Sequence, residues 1–215
     1  MFRAEEDYIK LIYTLTIENS LELVKTTTLA KRLNHSNQTI IEMVKKLEQK
    51  GFVEYYPYKG VKLTEVGKRE AIRMIRAHRV WEVFLTEKLG FDWNEVHQDA
   101  ELLEHASSKK IIDALYRYLN EPMHCQHGNP IPTESGQLRE FSSQTMIDEP
   151  KKGRFLIERF QDEKDVTSFL NKNNLSIGDV INIEHIDLEN NILITDKNKM
   201  KITKKIATSI YGKWV

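Results

Sequence analysis

A nine-residue stretch near the middle of the chain concentrates side chains of the types that bind divalent metal ions. It extends from His97 to His105 and has the sequence H-Q-D-A-E-L-L-E-H. On a helix, at about 100° per residue, its potential ligands lie on one side within roughly a quarter turn, and Leu102 and Leu103 point the other way. These ligands are His97, Glu101, Glu104 and His105. The stretch therefore predicts a helix with one metal-binding face.

Two further groups of the same residue types lie elsewhere in the chain. His78 and Glu82 are four residues apart in a strongly helical run, A-H-R-V-W-E-V-F-L, so their side chains stack on one face. The segment M-H-C-Q-H at 123–127 adds Cys125 and His127. A solvated helix face can carry Glu and His without binding anything, but three such groups in one chain favour metal binding.

Composition indicates an ordinary soluble globular protein. The 215 residues are 40% hydrophobic and 30% charged, enough for two or three small domains. No apolar run is long enough to span a membrane, and the start, M-F-R-A-E-E-D-Y, has charges where a signal peptide needs an apolar segment. We therefore expect a cytoplasmic protein with no membrane contact. The single cysteine, Cys125, excludes an internal disulfide.

The net charge is zero, but the charges are unevenly distributed. Residues 25–69 carry ten Lys or Arg residues against four acids. Residues 73–140 carry eight basic and eleven acidic residues and five of the seven histidines. This distribution is typical of a polyanion-binding segment joined to a cation-binding one.

The basic part of the chain has the pattern of a winged helix-turn-helix. Residues 5–16 predict an amphipathic first helix with acids in its first turn. T-T-T-L-A-K-R-L predicts a short helix, N-H-S-N a tight turn, and Q-T-I-I-E-M-V-K-K-L-E-Q-K a second helix that Gly51 ends. The next segment, V-E-Y-Y-P-Y-K-G-V-K-L-T, predicts two short strands. In this arrangement the second helix enters the major groove of DNA and the wing lies along the backbone.

Polar side chains on the second helix and lysines on the helix and wing are the candidate DNA contacts. Those expected near base edges are Ser36, Gln38, Thr39 and Glu42. The lysines that could reach phosphates, and so add affinity without sequence information, are Lys45, Lys46, Lys59 and Lys62. For Lys45 and Lys46, a plain solvated position is the alternative.

The remaining chain predicts a helical domain and a small β-barrel, so the fold class is mainly α with small β parts. Helices are expected over 65–89, through 97–105 and over 108–120. Their apolar side chains provide more surface than a pair of helices can bury, which favours a hydrophobic core together with a dimer interface. Short alternating runs after a polar linker predict the barrel. The expected segments are a DNA-binding domain at 1–72, a metal-binding and dimerisation domain at 73–140, a linker at 141–152 and the barrel at 153–215.

Two other functions are compatible with parts of this pattern. The first is an enzyme with Cys125 as nucleophile and His127 or His124 as base, or with the His and Glu residues as a hydrolytic metal site. No oxyanion-hole or nucleophile-elbow motif accompanies Cys125, and the DNA-binding half would be unexplained. The second is a winged-helix regulator that responds to an organic ligand or a partner protein.

In their order along the chain, these features resemble the diphtheria toxin repressor family, and within it the three-domain manganese-responsive regulators of Gram-positive cocci. The resemblance extends essentially from end to end. It rests on the winged helix, the His78 and Glu82 pair, the H-x-x-x-E-x-x-E-H run, the P-x-x-C-x-H-G-x-x-I-P segment and the terminal barrel. It implies that this barrel is SH3-like, of the FeoA-like kind.

The resemblance implies two metal sites per subunit. The first would use Asp7, Glu101, Glu104, Cys125 and His127. The second would use His78, Glu82 and His97 with acids of the barrel, for which Asp162 and Asp165 are the nearest candidates. His105 matches a ligand of the wider family and ranks lower. Lys10 stands where some two-domain manganese regulators have a carboxylate, which favours two separated sites over a binuclear one.

The resemblance also implies a homodimeric repressor, not an enzyme, that binds palindromic operators of metal-uptake genes when loaded with metal. A two-fold symmetric dimer suits half-sites about one helical turn apart. Carboxylate and imidazole ligands suit Mn²⁺ or Fe²⁺, whereas the thiolate of Cys125 is softer and the Irving–Williams order predicts tighter binding of Zn²⁺. The sequence leaves the physiological metal and the operator open.

Overall fold

The chain folds into two compact units, each built from three segments. The computed structural model describes residues 2–18, 21–93, 95–138, 140–161, 163–187, 192–195 and 199–215. The first unit contains Met1–His78, Glu101–Ala114 and Pro132–Gln137. The second contains Arg79–Ala100, Leu115–Ile131 and Leu138–Val215. The domain boundaries expected at 72, 140 and 152 stay a prediction.

The first unit begins with an amphipathic helix, α1 (Arg3–Glu18). Glu5 and Glu6 lie in its first turn, where acidic side chains are favoured by the helix dipole. Its apolar side chains recur at helical spacing and are buried: Tyr8, Ile9, Ile12, Tyr13 and Leu15. The helix predicted over 5–16 is confirmed, and this burial fixes which face of α1 turns outward.

A helix-turn-helix follows, formed by α2 (Thr26–Leu33) and α3 (Asn37–Gln49). Asn34 ends α2 in the left-handed conformation, with φ of 52°, which Asn tolerates better than most residues. The hydroxyl of Ser36 accepts a hydrogen bond from the backbone N–H of Thr39 at 3.1 Å and so caps α3. The polar turn and the N-cap together set where α3 starts, and the predicted helix-turn-helix is confirmed.

The wing consists of two antiparallel strands, β1 (Val53–Tyr56) and β2 (Gly60–Leu63). The backbone of Val24 exchanges two hydrogen bonds of 2.9 Å with that of Val61, which ties the segment before α2 to the wing. Tyr58 lies at the wing tip and is fully exposed. The predicted wing is therefore confirmed.

Three further helices contain the predicted metal-ligand types. They are α4 (Glu65–Leu89), α5 (His97–Ala106) and α6 (Lys109–Tyr118). Parts of their apolar surface are not buried in the chain, since Leu102 is 54% and Ile111 47% exposed. A dimer seam over such side chains stays a prediction. None of the helices in the described ranges is both long and apolar enough to cross a membrane.

The second unit contains a five-stranded antiparallel sheet in the order β6-β5-β4-β3-β7. The strands are β3 (Gly153–Phe160), β4 (Val180–Asp187), β5 (Ile192–Thr195), β6 (Lys201–Thr203) and β7 (Ile210–Trp214). Alternate side chains of β3, including Phe155 and Ile157, are fully buried in the core of this sheet. The sheet agrees with the predicted β-barrel fold.

Two helices accompany the sheet that the sequence analysis did not predict, α7 (Lys164–Lys172) and α8 (Lys204–Ala207). In α7, Val166 and Leu170 are four residues apart and both fully buried. The apolar residues thus recur at helical spacing, but over little more than one turn. Met146, inside the segment predicted as a linker, is fully buried in the same core. That segment therefore packs on the sheet at this residue.

Gly67 in the first turns of α4 lies directly against the backbone of Phe52. A Cβ atom at this position would lie 2.0 Å from the Phe52 carbonyl oxygen. We expect Gly67→Ala to destabilise the protein by about 1–3 kcal/mol, because overpacking outweighs the gain in helix propensity. The measurement is the unfolding midpoint by circular dichroism. Val66→Ala, at an exposed neighbour, is the matched control, and equal midpoints for the two variants would contradict the packing argument.

Candidate metal-binding clusters

The first unit brings four potential metal ligands together between α1 and α5. Asp7 of α1 and Glu101, Glu104 and His105 of α5 each offer one ligand atom, and these atoms all lie within 4.8 Å of one another. We call this set the α1/α5 cluster. Burial of the α1 apolar face turns Asp7 toward α5, and the helical spacing within α5 puts its three side chains on one face.

His105 is held between two acidic side chains of α1. Its Nδ1 lies 2.6 Å from Glu6 Oε2, and its Nε2 lies 2.9 Å from Asp7 Oδ1. Glu6 is in turn paired with Arg73 at 3.0 Å. Because an ionised carboxylate can only accept, Nδ1 donates to Glu6, and Nε2 is the ring nitrogen that faces Asp7.

The Asp7 and His105 atoms that face each other are poorly satisfied. Asp7 Oδ1 and His105 Nε2 are both buried, and neither makes a hydrogen bond of acceptable geometry to the residues that the structure describes. Burial raises the pKa of Asp7; Glu101 and Glu104 add to this, while His105 and Arg3 oppose it. A buried carboxylate oxygen and a buried imidazole nitrogen that face one place are potential ligands that a cation would satisfy.

Lys10, one helical turn after Asp7, also reaches the carboxylates of α5. Its Nζ donates to Glu101 Oε2 at 2.9 Å and to both oxygens of Glu104 at 2.8 Å. His78 Nδ1 lies 3.4 Å from the same ammonium group and 2.6 Å from Glu104 Oε2. Burial opposes the charge on Lys10, but the two carboxylates outweigh it, so its pKa is raised.

The second unit contains a separate cluster formed by Glu82, Cys125 and His127, whose ligand atoms lie within 4.8 Å of one another. We call it the Cys125 cluster. His127 Nδ1 lies 3.1 Å from Glu82 Oε1 and 4.0 Å from Cys125 Sγ. All three residues are buried, with His127 at 0% exposure.

Backbone contacts fix the loop that carries Cys125 and His127. Arg79 of α4 donates to the Pro130 carbonyl at 2.5 Å. The Phe160 N–H of β3 donates to the His127 carbonyl at 3.0 Å. His127 Nε2 lies 3.1 Å from the Trp93 carbonyl, which can only accept, so Nε2 carries a proton. The nitrogen that faces Glu82 and Cys125 is therefore Nδ1.

The protonation states of this cluster follow from its burial. Burial opposes the charge on His127, but the Glu82 carboxylate outweighs it and raises the pKa of His127 to about 12. Burial raises the pKa of the Cys125 thiol, and Glu82 raises it further. Around neutral pH the cluster thus contains an imidazolium paired with a carboxylate beside a protonated thiol.

The structure groups some of the predicted ligands within each unit. Cys125 and His127 lie with Glu82 in the second unit, and their expected site with Asp7, Glu101 and Glu104 stays a prediction. His105, which ranked lower, lies with Asp7. The reason is the docking of the 123–131 loop on Arg79 and β3, which residue spacing does not encode.

The remaining predicted ligands have different positions. His78 contacts Glu104 and Lys10 within the first unit. His97 begins α5 and belongs to the second unit. Asp165 forms a surface ion pair with Lys205 and joins no potential metal cluster of the described residues. Asp162 lies outside the described residues.

Sequence reasoning gave no role to Glu6 and none to Arg73. An acid in the first turn of a helix is expected from the helix dipole alone, so Glu6 carried no distinguishing feature. The contact with His105, which is distant in sequence, is what distinguishes the role of Glu6 from that of Glu5 on the same helical turn.

The candidate DNA contacts are partly engaged within the protein. The hydroxyl of Ser36 caps α3 by accepting from the backbone N–H of Thr39. Gln38 and Glu42 are hydrogen-bonded to each other at 3.1 Å on the exposed face of α3. Lys46 pairs with the buried Glu5 at 2.9 Å, and Lys62 pairs with Glu54 on the wing at 3.1 Å. Direct DNA contacts of all eight residues stay a prediction: Ser36, Gln38, Thr39, Glu42, Lys45, Lys46, Lys59 and Lys62.

Two family descriptions match the chain over most of its first two thirds. "Iron dependent repressor, N-terminal DNA binding domain" matches residues 1–61, and "Iron dependent repressor, metal binding and dimerisation domain" matches residues 64–133. The matched ranges include the helix-turn-helix, most of the wing and all residues of both clusters.

Similar proteins include regulators from archaea and bacteria. An uncharacterized HTH-type transcriptional regulator of Methanocaldococcus jannaschii, MJ0568, is 39% identical over 121 residues, which are 56% of this chain and 96% of that protein. The iron-dependent repressor IdeR of Mycobacterium tuberculosis is 35% identical over 127 residues, which are 59% of this chain and 54% of that protein. The similarity to IdeR thus spans about half of its length.

Solved structures match over nearly the whole chain. The manganese regulator SloR superposes with a TM-score of 0.86 at 31% identity and 98% coverage of both chains. ScaR with bound Cd²⁺ superposes with a TM-score of 0.87 at 29% identity, covering 98% of this chain and 99% of that one. The resemblance inferred from sequence is confirmed, and the enzyme alternative is excluded. The chain belongs to the iron-dependent repressor, or diphtheria toxin repressor, family of metal-dependent transcriptional repressors.

Proposed function

We propose that the protein is a homodimeric repressor that binds palindromic operators of metal-uptake genes in the cytoplasm when it is loaded with Mn²⁺, or alternatively Fe²⁺. The observation that carries this proposal is the α1/α5 cluster. It joins Asp7, on the helix that supports the DNA-binding motif, to three ligand-type side chains of α5. An ion bound there would make the position of α1 depend on metal.

The donor atoms of the α1/α5 cluster fit a divalent ion such as Mn²⁺. Three carboxylates and one imidazole are the oxygen and nitrogen ligands that this type of ion prefers. The pair Asp7 Oδ1 and His105 Nε2 supports the assignment, since both are buried ligand atoms without a hydrogen bond among the described residues, which a cation would satisfy. When bound, the ion supplies positive charge and Lewis acidity, and the protein supplies its position.

Glu6 acts on this cluster by positioning His105. A ligating histidine is commonly oriented by a carboxylate that accepts the proton of its other nitrogen. The 2.6 Å contact between Glu6 and His105 Nδ1 has this geometry, and Arg73 holds Glu6 from the opposite side. We therefore assign Glu6 a role in orienting the His105 ring so that Nε2 is directed at Asp7.

The Cys125 cluster would hold a second ion. Thiolate, imidazole and carboxylate donors suit first-row transition metals, and the thiolate favours Zn²⁺ over Mn²⁺ in intrinsic affinity. Selection of Mn²⁺ or Fe²⁺ then depends on coordination geometry and on which ion is available. ScaR has been solved with Zn²⁺ and with Cd²⁺, which supports a site of broad metal tolerance in this chain.

The first helix connects the α1/α5 cluster to the DNA-binding motif. Tyr8 Oη lies 3.0 Å from His35 Nδ1 in the turn before α3. Glu5 accepts hydrogen bonds from Lys50 at the end of α3, the shorter at 2.7 Å, and pairs with Lys46. Burial opposes ionisation of Glu5, yet the two lysines hold its pKa down at about 2. A shift of α1 on metal binding would therefore move both ends of α3.

Metal binding and operator binding would be coupled in both directions. If the metal favours the arrangement that binds DNA, thermodynamic linkage requires DNA to tighten metal binding by the same factor. A coupling free energy of about 1–3 kcal/mol changes operator affinity about five- to 150-fold.

We expect operator affinity to increase at least about fivefold with Mn²⁺ or Fe²⁺ and to fall when a chelator is added. The measurement is fluorescence anisotropy with promoter DNA from upstream of metal-transporter genes in the source genome. Asp7→Asn and Glu104→Gln should lose the metal response with unchanged circular dichroism. Glu65→Gln, at a side chain 77% exposed, is the control. An affinity independent of metal in the unmodified protein would refute the proposal and favour an organic ligand or a partner protein.

Removal of Glu6 should weaken metal binding by the α1/α5 cluster without removing a ligand. We expect Glu6→Ala to lower Mn²⁺ affinity about 10- to 100-fold, as for other carboxylates that orient a ligating histidine. Glu6→Gln, whose amide oxygen still accepts from Nδ1, should restore part of the loss. The measurement is calorimetry in a Cys125→Ser background, so that the other cluster contributes less.

The matched control for Glu6 is Glu70→Ala. Glu70 pairs with Arg73 on the same helix, at 2.6 Å, whereas Glu6 contacts both Arg73 and His105. An equal loss of affinity in both variants would show that Arg73, rather than the orientation of His105, sets the effect.

Metal binding to the Cys125 cluster should release protons. His127 has a raised pKa of about 12 and the thiol of Cys125 a raised pKa, so both hold protons that an ion must displace. We expect release of about two protons per ion, and an affinity that falls about tenfold per pH unit for each of them as pH decreases. Calorimetry in buffers of different ionisation enthalpy measures the number. Cys125→Ser should release about one proton fewer, and an unchanged number would contradict this assignment.

A further inference from the structure

A cavity of about 380 Å³ lies within the first unit, between the beginnings of α4 and α6 and residues 133–136. Sites for small organic molecules in proteins have volumes of this order. The residues around the cavity belong to none of the potential metal clusters of the described residues. Its apolar wall is formed by five residues: Phe52, Val66, Ile72, Ala77 and Ile112. The cavity is thus separate from the proposed metal sites and large enough for an organic ligand.

The charged side chains around this cavity leave one positive charge in excess. Asp113 is shared by Arg76 and Lys109, and Glu70 pairs with Arg73. Arg69 is exposed and takes part in no ion pair with the residues that the structure describes. The four basic and three acidic side chains are Arg69, Arg73, Arg76, Lys109, Glu70, Asp113 and Glu134. A ligand with one negative charge would balance the excess.

Two arginines of α4 provide hydrogen-bond donors for such a ligand. Arg69 and Arg73 are four residues apart, so their side chains lie on the same face of the helix. Both line the cavity. A guanidinium group matches the geometry of a carboxylate, which it binds with two parallel hydrogen bonds. Two guanidinium groups beside an apolar wall therefore suit a molecule with an apolar body and a carboxylate.

The guanidinium group of Arg73 has one edge that is only half used. Its Nε and Nη2 donate to Glu70 Oε1 at 2.9 and 2.6 Å. Nη2 also donates to Glu6 Oε1 at 3.0 Å, whereas Nη1 donates to no described residue. A carboxylate that binds the edge formed by Nη1 and Nη2 with two hydrogen bonds would thus compete with Glu6 for Nη2.

We propose that this cavity binds an organic monocarboxylate, with its apolar body against the wall and its carboxylate on Arg69 and Arg73, and that the bound ligand releases Glu6 from Arg73. The site itself does not depend on the proposed function. Its effect does, because it rests on the role of Glu6 in orienting His105. Loss of that orientation would lower the affinity of the α1/α5 cluster for Mn²⁺, and linkage requires Mn²⁺ to weaken ligand binding by the same factor.

The single excess charge favours a carboxylate over a phosphate ester. A phosphate monoester carries about 1.5 to 2 negative charges at neutral pH. Its second charge would have no counter-charge at the cavity and would lie beside Glu70 and Asp113, which are both paired with basic side chains already. A cationic ligand would be repelled by Arg69.

Binding of simple monocarboxylates tests the site without metal. Octanoate and 2-naphthoate are the probes, because each joins an apolar body to one carboxylate, and calorimetry on the full chain is the measurement. We expect saturable binding of one molecule per chain, and at least about tenfold weaker binding of octan-1-ol and octyl phosphate. If neither carboxylate binds saturably, or if octan-1-ol binds equally well, the proposal is overturned.

Variants locate the bound probe. Arg69→Gln removes an exposed guanidinium without an ion pair, so it should leave the fold intact and weaken binding at least about tenfold. Ile72→Trp should fill the cavity and abolish binding. Lys68→Gln is the matched control, since it removes an exposed positive charge of α4 outside the cavity. Equal affinities of Arg69→Gln and Lys68→Gln would contradict the assignment of the site.

The effect on metal binding is measured in a Cys125→Ser background. Saturating octanoate should lower the Mn²⁺ affinity of the α1/α5 cluster about fivefold. The same concentration of acetate corrects for weak complexes between carboxylates and Mn²⁺ in solution. In Arg69→Gln and in Glu6→Ala, octanoate should cause no further change, because the first lacks the site and the second lacks the group that the ligand releases.

The outcomes separate the carboxylate site from the proposed function. If a probe binds without metal while the α1/α5 cluster takes up no Mn²⁺, the proposed function fails at that cluster and the carboxylate site stands. If a probe binds and Mn²⁺ affinity does not change, the release of Glu6 is refuted. A change of equal size in Glu6→Ala would refute it as well.

Discussion

Buried negative charge between α1 and α5 is the constraint on which the first unit depends. Asp7 and Glu101 are partly buried and meet Glu104, which is fully buried. Carboxylates in such a place remain ionised only if cations or hydrogen-bond donors compensate them. Lys10 compensates part of this charge, and the remainder makes the α1 to α5 contact sensitive to divalent cations. A metal-dependent contact requires that some of this negative charge stays uncompensated, because carboxylates that are already neutralised would gain no stability from a bound ion.

The same helix that meets this constraint also supports the DNA-binding motif. Successive residues of α1 have different tasks: Glu5 holds the end of α3, Glu6 orients His105, and Asp7 faces the proposed ion. Tyr8 follows with its contact to His35 before α3. Within one and a half turns of helix, the proposed metal site and the DNA-binding helix are thus mechanically connected. A separate chain of intervening residues is not required for coupling between them.

Helix positions were predictable from sequence because periodicity and capping are local properties, and α4 begins and ends as its apolar pattern indicates. The grouping of ligands was not predictable, because it depends on where a loop docks. Cys125 and His127 meet Glu82 only through the contacts of their loop with Arg79 and β3. Glu6 was missed for a related reason, since its role comes from a partner far away in sequence. The helix α7 was missed because its buried stripe is short.

The two clusters differ in what an arriving ion must displace. In the Cys125 cluster, Glu82 and His127 already form an ion pair, so an ion has to break that pair and expel protons. In the α1/α5 cluster, Asp7 and His105 face each other without such satisfaction, and an ion relieves an existing cost. On the proposed function, the thiol-containing cluster favours the tighter-binding metals, and the oxygen-rich cluster responds to weakly binding Mn²⁺. Because the oxygen-rich cluster includes a residue of α1, the response to the weaker ion is the one that reaches α3.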